Sequence, residues 1–167
     1  MDSGVGSKVD IAFFKFCYVD IMRDSDLLEI FDSYYITMEG LKTRYSKTKF
    51  LHVTVPVCSA PRGVKRNLKA SVKLMVGIPG VLDDNVMRHC YNNLLMDAYS
   101  QQEHVFDLAL TESVNSDGFR CYATKGAGKV FLMAPEYTED GGHLNKQGRK
   151  WTAEQLLIIL SELANEL

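Results

Sequence analysis

No stretch of these 167 residues is long and apolar enough to cross a membrane, and the first ten, MDSGVGSKVD, lack the hydrophobic core that a secretory signal needs. Neither sign of charge is in excess. Nineteen lysines and arginines against 21 aspartates and glutamates give a formal net charge of −2, which excludes a general pull toward nucleic acid or an anionic membrane and leaves only local patches to supply one. The four cysteines, Cys17, Cys58, Cys90 and Cys121, are scattered, with no C-x-x-C pair and no histidine at ligand spacing. Structural zinc is therefore not expected, no cofactor is implied, and reduced thiols buried as small hydrophobes are the expectation. Repeats, low-complexity tracts and composition breaks are absent too, which leaves one domain over residues 1–167. With 46% hydrophobic and 24% charged residues, that domain can bury a sizeable core.

Apolar strands alternate with amphipathic helices. Residues 11–18 (IAFFKFCY) form a nearly continuous apolar run, the pattern of a strand covered on both faces. Asp24 or Ser25 can cap a helix carrying Leu27, Phe31, Tyr34, Met38, Leu41 and Tyr45 at three- and four-residue spacing. A second strand is expected over residues 50–57 (FLHVTVPV), ending at Pro56, and a helix over 84–99 with Val86, Cys90, Tyr91, Leu94, Leu95 and Ala98 inward. A short third strand, HVFDL, covers 104–108. Residues 119–124 and 129–133 flank a glycine turn, and Asn145 can cap a last helix through Leu163. This β-α-β-α-β-α alternation calls for a parallel sheet with right-handed crossovers, an α/β architecture with helices on both faces.

In such sheets ligands bind beyond the carboxyl ends of the strands, and the loop 140–145 (DGGHLN) belongs to that rim. It places Asp140 three residues before His143 on a glycine-flexed segment. A carboxylate beside an imidazole fixes its tautomer and stabilises its protonated form, as a general base acting on a hydroxyl requires. The bland reading is a polar loop in which Asp140 caps a turn and His143 sits in water.

Taken together, residues 10–21 (DIAFFKFCYVDI), 50–57, 105–109 (VFDLA) and 132–145 (LMAPEYTEDGGHLN) resemble, in order and over nearly the whole chain, the SGNH (GDSL-like) hydrolase superfamily. The resemblance implies a three-layer α/β/α, flavodoxin-like fold and a serine-type ester hydrolase acting on acyl groups of carbohydrates or lipids. It implies His143 as the base and Asp140 as its orienting partner. The block usually written G-x-N-D falls on Cys17, Tyr18, Val19 and Asp20. Val19 thus replaces an asparagine that serves as an oxyanion donor, and Asp20, at the start of a loop, reads equally as a helix-entry residue. The blocks that carry the family's nucleophilic serine and oxyanion glycine have no counterpart, and Ser3 and Ser7 are not assigned as catalytic because no strand precedes them. The expectation is a chain lacking the first two strands of the 2-1-3-4-5 order, part of a longer hydrolase, whose 11–18 strand is an open edge prone to self-association. The alternative is a non-catalytic module of the same fold.

Other features read more plainly. The basic amphipathic segment 61–76, with Arg62, Lys65, Arg66, Lys69 and Lys73, is either a lid toward anionic substrates or, more simply, a solvated helix face. His52 suits an interior or edge position, and His89 and His104 belong to a helix and a strand start. Trp151 looks like packing of the last helix. KGAG at 125–128 lacks the pattern of a phosphate cradle, and the Glu136/Asp140 spacing fixes no carboxylate pair. Cys17 lacks a cationic neighbour to stabilise a thiolate.

Overall fold

The computed structural model describes residues 8–60, 80–126 and 128–167. Strands β1 (Ile11–Phe14), β2 (Lys49–Val53) and β3 (Val105–Phe106) form a parallel sheet in the order β1-β2-β3, with Phe14 opposite His52 and Val53 opposite Phe106. Helices α1 (Leu27–Arg44) and α2 (Val81–Tyr99) cross between these strands, and α3 (Leu108–Ser113) and α4 (Lys146–Ala164) follow them. An antiparallel hairpin, β4 (Tyr122–Lys125) with β5 (Gly128–Phe131), and a short 3-10 turn at Pro135–Tyr137 lie between α3 and α4.

The side-chain period of β2 divides the core. Leu51 and Val53 pack with Phe106, Leu108 and Leu163, joined by Leu156, Ile159 and Leu160 of α4. Phe50 turns to the other face, where Tyr34 and Met38 of α1 meet Tyr91, Leu95 and Tyr99 of α2. The result is a three-layer α/β/α sandwich of the flavodoxin type. His52 is fully buried in the α1/α2 layer, stacked on Tyr99 with ring centroids 3.7 Å apart. Its Nε2 stands 3.1 Å from Glu103 Oε2 and its Nδ1 2.7 Å from the Tyr34 hydroxyl. Glu103 is buried enough to resist ionisation, yet hydrogen bonds from Lys42 and His52 bring its carboxyl below the usual range. A carboxylate only accepts, so Nε2 donates to it and Nδ1 accepts from Tyr34. Burial pushes the imidazole below its ordinary value, consistent with a neutral interior histidine.

The ladders are shorter than the apolar runs. They stop at Phe14, Val53 and Phe106 instead of residues 18, 57 and 108. Beyond Val53 the backbone is read by side chains of α2: Asn92 accepts from Val55 N at 2.7 Å and donates to Val55 O at 2.9 Å, and Asn85 does the same for Cys58 at 3.0 and 2.8 Å. Beyond Phe106, Asp107 caps α3, its carboxylate accepting from Leu110 N at 3.0 Å.

Consequently the buried stripe of α2 is Asn85, Arg88, Tyr91, Asn92, Leu95 and Tyr99; Tyr91 and Leu95 are inward as anticipated, while polar side chains take the place of Val86, Cys90, Leu94 and Ala98. Cys90 falls off that stripe and is exposed, while Cys58 is the one buried thiol among the four and Cys17 and Cys121 are half-buried. The α1 cap is Asp26, not Asp24 or Ser25, and α2 starts earlier than expected, after Gly80. Asn145 caps α4 as expected, accepting from Gly148 N at 3.0 Å. The basic segment 61–76, Ser3 and Ser7 lie outside the described residues.

Candidate functional site

The loop between the 3-10 turn and α4 is closed at its base by an isolated bridge between Thr138 and Leu144 and by Asn145 N donating to Tyr137 O at 2.8 Å. Gly141 takes a φ of 92°, a left-handed conformation open to glycine at little cost, and donates its N–H to Thr138 Oγ1 at 2.9 Å. Its carbonyl accepts from Ser59 N at 2.8 Å, which fastens the loop to the segment leaving β2.

Within this frame Asp140 Oδ1 accepts from the backbone N–H groups of Gly142 and His143, at 2.9 and 2.8 Å, and Oδ2 lies 2.7 Å from His143 Nδ1. Those two backbone donors, with the imidazole, hold the Asp140 carboxyl well below the usual carboxylate range. An ionised Asp140 requires Nδ1 to carry the hydrogen, so Nε2 presents a lone pair. The ring is open to solvent, its side chain 73% exposed. One loop therefore holds an oriented imidazole on the surface.

Tyr18, from the segment after β1, meets Nε2 of that ring. Its hydroxyl is 3.5 Å from Nε2 and its ring packs edge-on to the imidazole at a centroid distance of 5.5 Å. Burial, with the neighbouring Cys58 and Cys17 thiols and Asp140, raises the phenol above its ordinary value, so it stays protonated and can donate to Nε2. Tyr18 is held from below by Arg88. This buried guanidinium gives Nε to Tyr18 O at 2.9 Å and Ile21 O at 3.2 Å, gives Nη1 to Asn85 Oδ1 at 2.6 Å, and sits 5.6 Å from the Tyr18 ring.

The remaining sequence candidates separate. Asp20 turns back on its own loop, accepting from Cys17 N at 2.6 Å while its N–H bonds Cys17 O at 3.1 Å, and it does not enter a helix, the cap of α1 being Asp26. Val19 is exposed and has no polar side-chain atom to offer. Burial pushes the Cys58 thiol up to about 11, far from thiolate reactivity at neutral pH. Glu136 accepts from Ser116 N at 2.6 Å and is engaged away from Asp140. His104 pairs with Glu166 at 2.8 Å, and Trp151 donates to Thr111 O at 3.1 Å while packing on the core. Among the described residues no group of three or more His, Cys, Asp or Glu side chains is placed to hold a metal ion, and no helix is long and apolar enough to cross a membrane.

Four polar residues around the site had no sequence signal that singled them out. Asn85, Arg88 and Asn92 sit at helical spacing on a face expected to be apolar. Glu112 is almost fully buried behind the β2 exit, where it accepts from Val57 N at 3.2 Å and desolvation pushes its carboxyl up to about 8.

No protein-family model and no curated protein matches the chain. Among solved structures, its fold is similar to that of a protein from Streptococcus pneumonia assigned as a platelet activating factor, with a TM-score of 0.58 at 18% identity over 91% of this chain and 60% of that one. The chain thus spans three fifths of its neighbour's length, and what the two share is the α/β/α fold.

Proposed function

We propose that this chain carries the base half of a serine-type ester hydrolase of the SGNH kind, with His143 as general base and Asp140 as its orienting partner. The observation that carries the reading is the 2.7 Å contact between His143 Nδ1 and Asp140 Oδ2 on a loop that leaves the imidazole side chain exposed at the sheet's carboxyl rim. In the reaction, Nε2 takes the proton of an attacking hydroxyl as it adds to the ester carbonyl, then returns it to the departing alkoxide. Asp140 stabilises the imidazolium between the two transfers without itself being protonated. Tyr18, donating toward Nε2, marks where the attacking hydroxyl would lie. The substrate class is an acyl ester of a carbohydrate or lipid.

One observation favours a second reading, a non-catalytic module of the same fold. Tyr18 is the hydroxyl residue in contact with His143 among the described residues, and Val19 offers no oxyanion donor. Turnover of p-nitrophenyl acetate and labelling by a fluorophosphonate separate the two. Turnover abolished by His143→Ala supports the hydrolase, turnover undiminished by that change removes it, and absence of both turnover and labelling favours the module.

We also propose self-association through β1. Among the described strands β1 pairs with β2 alone, and its Phe13 and Phe14, on opposite faces of the strand, are 51% and 53% exposed. A second copy offers the same strand, so the two edges can pair.

A further inference from the structure

A cavity of about 340 Å³ opens between α2, the carboxyl ends of β2 and β3, and the β4–β5 hairpin. It shares no lining residue with the Asp140–His143 loop. Thr54 and Asp107 form its floor, His89 one wall, and Arg120, Lys129 and Phe131 the other. Both cations lack a carboxylate within 4 Å among the described residues. Arg120 lies over the Phe131 ring at 3.5 Å and is pinned through Nε, which donates to Ser113 Oγ at 3.0 Å. Its two terminal nitrogens are left without a hydrogen-bond partner among the described residues. Lys129 rests 4.4 Å from the Tyr122 ring.

Polar groups of Asp107, His89, Asn92 and Asn93 share the lining. Oδ1 of Asp107 is engaged by Thr54 Oγ1 at 3.1 Å and Leu110 N at 3.0 Å. His89 Nε2, 3.1 Å from the Phe131 carbonyl, must donate to it, which leaves Nδ1 as an acceptor, and burial favours the neutral ring. Two cations against one carboxylate give the cavity a net positive charge. Val86 and Met96 supply an apolar side. A guanidinium already fixed by stacking, with its fork open to the cavity it lines, is suited to two-pronged recognition of an oxyanion at small entropic cost.

We propose that this cavity is a binding site for a small-molecule oxyanion, a carboxylate or phosphate held on the Arg120 fork with Lys129 as second cation and the apolar wall taking the rest of the ligand. Its volume falls within the range of small-molecule sites, and it lies at the sheet end where such folds bind ligands.

Calorimetric titration of the full chain with inorganic phosphate and, separately, benzoate tests this. Saturable binding of at least one probe is expected, at least about tenfold weaker in Arg120→Met and also weaker in Arg120→Lys, which keeps the charge but loses the fork. His143→Ala should bind as the parent does, which separates this site from the hydrolytic one. Phosphate binding alone assigns a phosphate ester, and benzoate binding alone a carboxylate. If Arg120→Met fails to fold, Arg120→Lys and Lys129→Met carry the test. Absence of saturable binding by either probe, undiminished binding in the folded Arg120 variants, or loss of binding in His143→Ala overturns the proposal.

Discussion

Gly148 packs so tightly under Tyr137 that a Cβ at this position would stand 2.7 Å from the Tyr137 carbonyl oxygen, with Leu144 Cδ2 and Tyr137 Cβ at 2.8 Å. Two of those three atoms cannot swing aside, since they belong to the backbone and to the root of a buried side chain. The first turn of α4 is thereby seated directly beneath the loop that carries His143. Gly148→Ala should destabilise the protein by about 1–3 kcal/mol, the ordinary cost of overpacking, in urea denaturation. Gly142→Ala should cost less, because a Cβ there meets the far end of the Tyr18 ring at 3.0 Å and that ring can move. Equal losses in the two variants would contradict this ranking.

Asn85 reads both backbone groups of buried Cys58 and also accepts from Arg88. Asn85→Ala leaves those groups without their side-chain partner and should cost about 1–3 kcal/mol. Hydrogen exchange at the Cys58 amide should rise more than the global loss of stability accounts for. Unchanged protection there would show that the side chain is not what holds the β2 exit.

The buried carboxyl of Glu112 gives a pH dependence of definite sign. Its folded-state value, about 8, lies above the ordinary 4.5, so the bound proton stabilises the fold fully below pH 4.5 and the contribution is lost as pH rises through about 8. Glu112→Gln keeps an acceptor for Val57 N and removes the titration. The stability of the parent relative to this variant should therefore fall between about pH 4.5 and 8 and level off above; a flat difference over that window would show that Glu112 ionises normally.

Asp140 has the opposite sign. Its carboxyl is held below its usual value by the His143 and Gly142 N–H groups and the imidazole, so its contribution is present above the unfolded carboxylate pKa and disappears as pH falls through the lower folded value. Melting temperatures measured down the acid limb should fall less steeply for Asp140→Asn than for the parent. Parallel acid limbs would mean that the loop does not depend on the charged form.

The edge position of β1 among the described strands predicts concentration-dependent association in sedimentation velocity, weakened by Phe13→Lys or Phe14→Lys, since edge lysines oppose strand pairing. A monomer at all concentrations, with or without those changes, would remove the proposal of self-association.

Much of the frame is legible along the chain because it follows from local periodicity. The apolar run at 11–18, the β-branched run at 50–57 and the helical spacing from Leu27 to Tyr45 announce the α/β alternation, and the short range of the Asp140–His143 contact lets it be read from a three-residue spacing and two glycines. Where the runs outlast the ladders, the reason is tertiary. Thr54 to Ser59 are apolar or buried like a strand, but α2 side chains, not a neighbouring strand, satisfy much of that backbone.

The sequence by itself determined the layered fold and a histidine with a carboxylate beside it, since both depend on residues near one another along the chain. Only the tertiary structure decided what surrounds that pair: Tyr18 at Nε2 from 125 residues away, Arg88 beneath it, and Asn85, Asn92 and Glu112 buried as polar groups. Such residues carry no pattern of their own, because what makes their burial favourable is a backbone group supplied by a distant segment. The Arg120 cavity was hidden for the same reason, being assembled from a helix, two strand ends and a hairpin that meet only when the chain has folded.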